Sequence, residues 1–249
     1  MPSIRSAFIA STFLLCVATP LYAMADDAPS NGAPGVNPKD LVTKVDLIFK
    51  RDVFDGGVGI NSWTFKYDRP LTTNFGIAVE LPYAEFRRAG DVVGGMAESK
   101  FKMRYVNTRG RVSWVAGGEV VIPTESDPLL GSGTWQVNPS AGLVYAVSPT
   151  IFTFAGVQRF QSVDRDTGRA PVRQNQARVL AARVSPAGWW VLGDAKFTRD
   201  LVVDANSVDL EVEFGRMLNR STALSVRAGT SGLESARSSG VVVNVRFLL

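Results

Sequence analysis

The sequence predicts an all-β fold, an antiparallel transmembrane β-barrel of about twelve strands of the outer-membrane type. Three observations predict it. Segment after segment alternates apolar and polar residues with period two. The connections between segments alternate between short and long. The chain also opens on an export signal, and a single cysteine, Cys16, lies inside that signal.

Arg5 supplies the positive n-region of that signal. Ala7 to Ala18 is its apolar core, too short to span a membrane, and Ala23-Met24-Ala25 is a small-residue cleavage site. Residues 1–25 therefore read as a signal peptide, cut before Asp26. A lipoprotein site at Cys16 would want a small residue before it, and Leu15 stands there. The mature chain, about 224 residues, is long enough for one large β domain. It has no thiol left for a disulfide, a thiolate nucleophile or a Cys-based metal site. Residues 26–40 are rich in Pro, Gly, Ala and Asn and read as a flexible leader. Residues 41–249 read as the barrel.

The alternating segments fall at about 42–51, 58–68, 74–83, 98–107, 111–122, 135–147, 151–161, 174–184, 189–199, 207–217, 222–230 and 239–249. Nearly all reach the roughly 9–11 residues that a tilted strand needs to cross a bilayer. KFKMRY (Lys100–Tyr105) shows the alternation most plainly. Lys100, Lys102 and Arg104 share one face, and Phe101, Met103 and Tyr105 the other. The short connections are DRPLTT (68–73), NTRG (107–110), SPT (148–150), SPAG (185–188) and LNRS (218–221). The longer ones include 84–97, 123–134 and 162–173. Short turns on one side and long loops on the other fit periplasmic turns and extracellular loops. A Greek-key sandwich has no reason to alternate in this way.

The faces follow from the phase of each segment. The expected lipid face carries Val45, Leu47, Phe49, Trp63, Phe65, Tyr67, Phe75, Ile77, Val79, Leu81, Phe101, Met103, Tyr105, Val112 and Trp114. It continues with Leu143, Tyr145, Phe152, Phe154, Leu210, Val212 and Phe214. Trp63, Tyr67, Trp135 and Trp189, near strand ends, are the expected interfacial aromatics. The last strand keeps Val241, Val243, Val245, Phe247 and Leu249 on the lipid face. It looks like the C-terminal signal that such barrels present to the barrel assembly machinery, with Phe247 two residues short of the end.

The expected lumen carries Lys100, Lys102, Arg104, Arg111, Glu80, Glu119, Asp209, Glu211 and Glu213 as the candidate solute path. Lys44, Asp46, Lys50, Lys66, Arg159, Arg178, Asp194, Lys196, Arg227 and Arg246 are placed on the same face. Basic residues outnumber acidic ones in that set, which predicts a weak preference for anions. Two readings of the Lys100/Lys102/Arg104 row stay open. It is a cationic lining that guides solutes, or it is paired internally with Glu80 and Glu119. The acidic row Asp209, Glu211 and Glu213 reads as structural, balanced by Lys196 and Arg227, because carboxylates alternating on a strand do not converge as a calcium loop does.

Several functions are excluded. The chain has no histidine, which removes a Ser-His-Asp triad, His metal ligands and a His base, so it is not read as an enzyme. The charge excess of +4 is spread along the chain and does not suggest nucleic acid. DRDTG (164–168) has its Gly one position early for a calcium loop and Asn175 where the bidentate Glu belongs. Gly131-Ser132-Gly133 has no Lys after it, so it is not a phosphate loop. No cofactor and no metal are expected.

At LGSGTWQVNPSAGLVYAVSPT (Leu130–Thr150) the sequence resembles a family of bacterial outer-membrane transporters named for the MetA pathway of phenol degradation. Gly131, Ser132, Gly133 and Trp135 carry the likeness, followed by Pro139 and Gly142. VELPYAEF (79–86), VVIPTES (120–126) and QNQARVLAARVSPAGWWV (174–191) extend it over most of 58–249. The resemblance implies a barrel that passes small solutes, aromatic compounds among them, and brings no binding residues with it. The function predicted is thus a passive outer-membrane channel or facilitator for small aromatic or anionic solutes, with membrane lipid and the assembly machinery as partners. The alternatives are a non-conducting barrel closed by its own ion pairs and a soluble periplasmic β-sandwich that binds its ligand.

Overall fold

The computed structural model describes residues 32–233 and 236–249. The expected signal peptide and the start of the leader lie outside them. The strands are β1 (Lys44–Phe54), β2 (Val58–Pro70), β3 (Phe75–Arg88), β4 (Asp91–Met96), β5 (Ser99–Arg109), β6 (Val112–Ile122) and β7 (Thr134–Ser148). They continue as β8 (Ile151–Arg165), β9 (Arg173–Val184), β10 (Trp189–Asp200), β11 (Ala205–Met217), β12 (Thr222–Leu233) and β13 (Ala236–Leu248). Each pairs antiparallel with its neighbours, β13 pairs with β1, and β2 pairs with β3, so the sheet closes on itself.

β4 pairs with the far part of β3, and β5 with its near part. They form one stave, broken at Ala97 and Glu98, which leaves a closed barrel of 12 staves. Each predicted segment is a strand. The expected loop at 84–97 is instead a hairpin, since β3 runs on to Arg88 and returns through Ala89 and Gly90, both at positive φ. Gly94-Gly95 and the run Arg87-Arg88 interrupt the alternation there, so periodicity did not show the strand.

The outer face is apolar over most of its circumference. Leu47, Phe65, Met103, Tyr105, Trp114, Leu143, Tyr145, Leu210, Val212, Phe214, Val226 and Phe247 stand exposed on it. Phe49, Trp63 and Tyr83 make an outward aromatic row, with ring centroids 5.4 and 5.9 Å apart. A soluble protein does not expose a continuous apolar belt of this extent, whereas in lipid it is solvated. A closed barrel also excludes the sandwich. Trp135 is exposed on the outer face, and Trp189 and Tyr67 share it.

Three placements differ from the sequence expectation. Phe152 and Phe154 point inward and are buried. Arg159, the other phase of β8, points outward, where its guanidinium donates to Asn175 Oδ1 at 2.8 Å. Arg111 lies exposed in the turn between β5 and β6 and takes no part in the lumen. β8 carries apolar residues on both faces, so its phase cannot be read from polarity.

The inside of the barrel at the turn end is a packed apolar core. Val106, Val115, Val144, Phe152, Phe154, Leu180, Val184, Trp190 and Leu192 meet there. Glycines make room for the large rings. A Cβ at Gly142 or at Gly156 would lie 2.5 Å from the Phe154 ring, and one at Gly215 would lie 2.1 Å from Trp190 Cζ2. The leader is not a free tail where it is described: Ala33 and Leu41 belong to the same core, and Val36 packs against it.

Candidate functional site

The lumen above that core is a network of ion pairs. Lys102 Nζ stands 2.8 Å from Glu80 Oε1 and 3.4 Å from Glu119 Oε2. Asn138 Nδ2 donates to the other oxygen of Glu119 at 3.0 Å. Lys66 bridges Asp68 at 3.5 Å and Glu80 at 3.6 Å, and Arg104 reaches Asp68 at 3.7 Å. Across the barrel, Arg178 holds Asp194 with Nε at 2.9 Å and Nη2 at 2.6 Å. Arg227 pairs with Glu213, with Glu211 at 3.1 Å and with Asp194 at 3.8 Å. Lys196 meets Glu211 at 2.7 Å, and Asp209 accepts from Ser231. Arg246 joins β13 to β1 through Asp46 at 2.7 Å.

Strand register explains these pairs. Asp46 faces both Lys66 and Arg246, Glu80 faces Lys66 and Lys100, Lys102 faces Glu119, and Glu213 faces Arg227. Opposite charges on neighbouring strands stand about 5 Å apart at Cβ, within reach of one another. Of the two readings left open for the Lys100/Lys102/Arg104 row, pairing with Glu80 and Glu119 is found for Lys102, whereas Arg104 pairs instead with Asp68. Lys100 is buried opposite Glu80.

Counted over the described strand residues, the inward charges balance. Lys44, Lys50, Lys66, Lys100, Lys102, Arg104, Arg178, Lys196, Arg227 and Arg246 face Asp46, Asp52, Asp68, Glu80, Glu119, Asp194, Asp200, Asp209, Glu211 and Glu213. The positive excess expected from sequence came from Arg111 and Arg159, which are not inside, and from leaving out Asp52, Asp68 and Asp200. The basis for anion steering goes with it.

Along β1 and β2, exposure inside the barrel rises from the turn end to the loop end. The side chains of Lys44 and Lys66 are 0 % exposed and that of Asp68 1 %, whereas Lys50 and Asp52, further along β1, reach 18 % and 15 %. On the other side of the barrel the loop-end residues Thr134, Gln136, Asn138 and Gln174 are buried as well, and the turn end is filled. Residues 32–43 help to fill it. Arg246 Nη1 donates to Gly35 O at 2.7 Å, and Lys44 Nζ to the same oxygen at 3.3 Å. Sequence reading missed this segment because Pro and Gly content signals loop but not where the loop packs.

At the loop end, the 123–133 connection folds against the broken stave. Glu98, in the break, accepts from Ser132 N at 2.7 Å and from its hydroxyl. Burial holds the Glu98 carboxyl above the usual carboxylate range, against the pull of the Ser132 hydrogen bonds. Arg169 ties the next loop to this one through Pro128 O at 2.9 Å and Glu125 at 3.6 Å.

The chain matches no known family profile and no curated protein sequence. Among solved structures, it is similar to an outer membrane channel from Pseudomonas putida F1, with 12% identity and a TM-score of 0.69 over 90% of this chain and 100% of that one. It is also similar to the KdgM porin, with 8% identity and a TM-score of 0.59 over 82% of this chain and 99% of the porin. The NanC porin shares 6% identity at a TM-score of 0.60 over 82% of this chain and 100% of its own. At such identities the likeness speaks for the fold, and the fold is the porin-like outer-membrane barrel.

Proposed function

We propose that this protein is a passive channel for small solutes in a bacterial outer membrane, delivered there by a cleaved signal peptide. One observation carries the reading: a closed barrel turns an apolar face outward and a charge-balanced polar face inward. The shared fold with channels and porins supports it. The sequence likeness to the transporters named for the MetA pathway points the same way, toward small aromatic compounds. A balanced lumen fits uncharged solutes better than anions, because paired charges leave little field to select by. The apolar outer phase of β13 supports recognition by the barrel assembly machinery.

Conductance in planar bilayers and liposome swelling with uncharged solutes test the proposal. Neither conductance nor swelling, from protein that migrates as a folded barrel, refutes it. The filled turn end favours one second reading, a barrel that does not conduct at all.

A further inference from the structure

We infer that residues 32–43 are the gate of this channel, seated in the turn-end mouth and released for passage, with Arg246 as the wall residue that positions it. The inference rests on the channel reading and explains how a filled barrel could conduct.

The segment crosses the mouth. It joins the wall at Lys44, where β1 begins, and its far end reaches the turn between β9 and β10. A Cβ at Gly32 would lie 2.2 Å from Ser185 O and 3.1 Å from Gly188 N. β13, β12 and β11 stand between those two points on the wall. Leu41 reaches another part of the rim, since a Cβ at Gly76 of β3 would lie 2.7 Å from Leu41 Cδ2.

The segment is built to sit and to leave. It contributes no strand to the sheet, and its backbone pairing is slight: Asp40 makes a single β-bridge, and Thr43 O accepts from Leu249 N at 3.0 Å. It folds on itself around Asp40, whose Oδ2 accepts from Gly35 N at 2.8 Å and Asn37 N at 3.1 Å. Its apolar anchors are Ala33, Val36 and Leu41. Ala33 is 0 % exposed, yet an alanine holds little apolar area. The wall holds it through Thr43 O, which accepts from Leu249 N at 3.0 Å, Pro34 O, which accepts from Arg246 Nη1 at 3.4 Å, and most closely Gly35 O. Arg246 reaches that oxygen with Nη1 while its Nε stays on Asp46. Arg246 therefore couples the strap to the wall without being part of the strap.

The test uses the mature full-length chain in planar bilayers and liposomes. Deletion of residues 32–39 and the variant Asp40→Ala change the strap and leave every ladder intact. Wild type should rest closed with brief openings, and the deletion should conduct steadily. Asp40→Ala should raise the open fraction about tenfold. Arg246→Lys, which keeps a cation beside Asp46 but loses the fork, should raise it with heat-modifiable migration unchanged. A second readout is independent of current. The variant Ala33→Cys should react slowly with a hydrophilic thiol reagent, and about tenfold faster when combined with Asp40→Ala. Ala187→Cys, exposed in the β9–β10 turn, should react at one rate in both backgrounds. If wild type and deletion conduct alike and the Ala33→Cys variant is labelled as fast as Ala187→Cys, the gate is refuted and the channel stands. If neither conducts, the channel reading falls and the gate with it. Should the deletion not assemble, Asp40→Ala and the labelling rates of Ala33→Cys decide alone.

Discussion

Replacing Lys102 by Met removes the cation that two buried carboxylates share. Lys102 stands 2.8 Å from Glu80 and 3.4 Å from Glu119, and the three side chains are only 14 %, 12 % and 7 % exposed. Taking one partner out of a buried pair costs about 3–5 kcal/mol, because the remaining charge is left in a poor solvent. Here each acid keeps something. Glu80 retains Lys66 at 3.6 Å, and Glu119 retains Asn138 at 3.0 Å. Those contacts move the expected loss to about 2–3 kcal/mol. Guanidinium unfolding of the refolded barrel in detergent measures it as a shift in midpoint at constant slope. The double variant Lys102→Met with Glu80→Gln restores the charge balance and should recover at least half of the loss. Arg109→Met, exposed at the end of β5, should stay within about 0.5 kcal/mol of wild type. A loss below about 1 kcal/mol for Lys102→Met, or a double variant as poor as the single one, would mean that Lys102 is solvated and not pinned. The same substitution has an electrical signature. Wild type should give a reversal potential near zero in a salt gradient, and Lys102→Met should shift it toward cations.

Outer-membrane fractionation and heat-modifiable migration on gels should follow from the closed barrel, and recovery as a soluble periplasmic monomer would contradict it. A tag inserted at Asp127 or Asp166 should be labelled on intact cells, and one at Gly110 or Asn219 should not, because loops and turns lie at opposite ends. Gly215→Val puts a methine where Trp190 Cζ2 would be 2.1 Å away, so it should cost about 1–3 kcal/mol in the same unfolding assay. Glu98 titrates above the ordinary carboxylate range. Its contribution is therefore full below that range and is lost as pH rises through the raised value. Proteolysis of the 123–133 loop should be slower at acidic pH, and Glu98→Gln should flatten that dependence.

The strands were legible because lipid enforces period two. An outward residue such as Phe101, Met103 or Tyr105 meets only hydrocarbon, and its neighbours Lys102 and Arg104 meet only the interior. Turn spacing was legible for the same reason. What failed was phase in β8 and the fate of the leader. Phe152 and Phe154 alternate as cleanly as any lipid-facing pair, and nothing in IFTFAGVQRF says which side is wet. Polarity separates inside from outside only where the inside is wet or charged, and along β8 at the turn end it is neither. Pairing was half legible. Charges that share a face could be counted, but Lys66 meets Glu80, and Asp46 meets Arg246, through register between strands, the second pair joining the two ends of the chain. The error in net charge came from single residues, Arg159 out of phase and Asp68 unnoticed.

Both misreadings have one cause, and it bears on whether the strap can move. Phe152, Phe154, Trp190 and Leu192 face inward into one core that also takes in Ala33 and Leu41 of the segment that comes back into the barrel. Ordering residues 32–43 costs roughly 1 kcal/mol or a little more per residue, in all about 12–15 kcal/mol. Burying Ala33, Val36 and Leu41 returns about 5–6 kcal/mol at the usual gain per apolar side chain. The charge-assisted bonds of Arg246 and Lys44 to Gly35 O, and of Gly35 N and Asn37 N to Asp40, are worth about 1.5–3 kcal/mol each. Gain and cost therefore meet within a few kcal/mol. A strap held by larger anchors, or by a ladder to β1, would be permanently shut, and one without Asp40 would not stay seated. Near-balance is the condition under which a solute that binds the open mouth better than the closed one can shift the equilibrium by its own differential affinity.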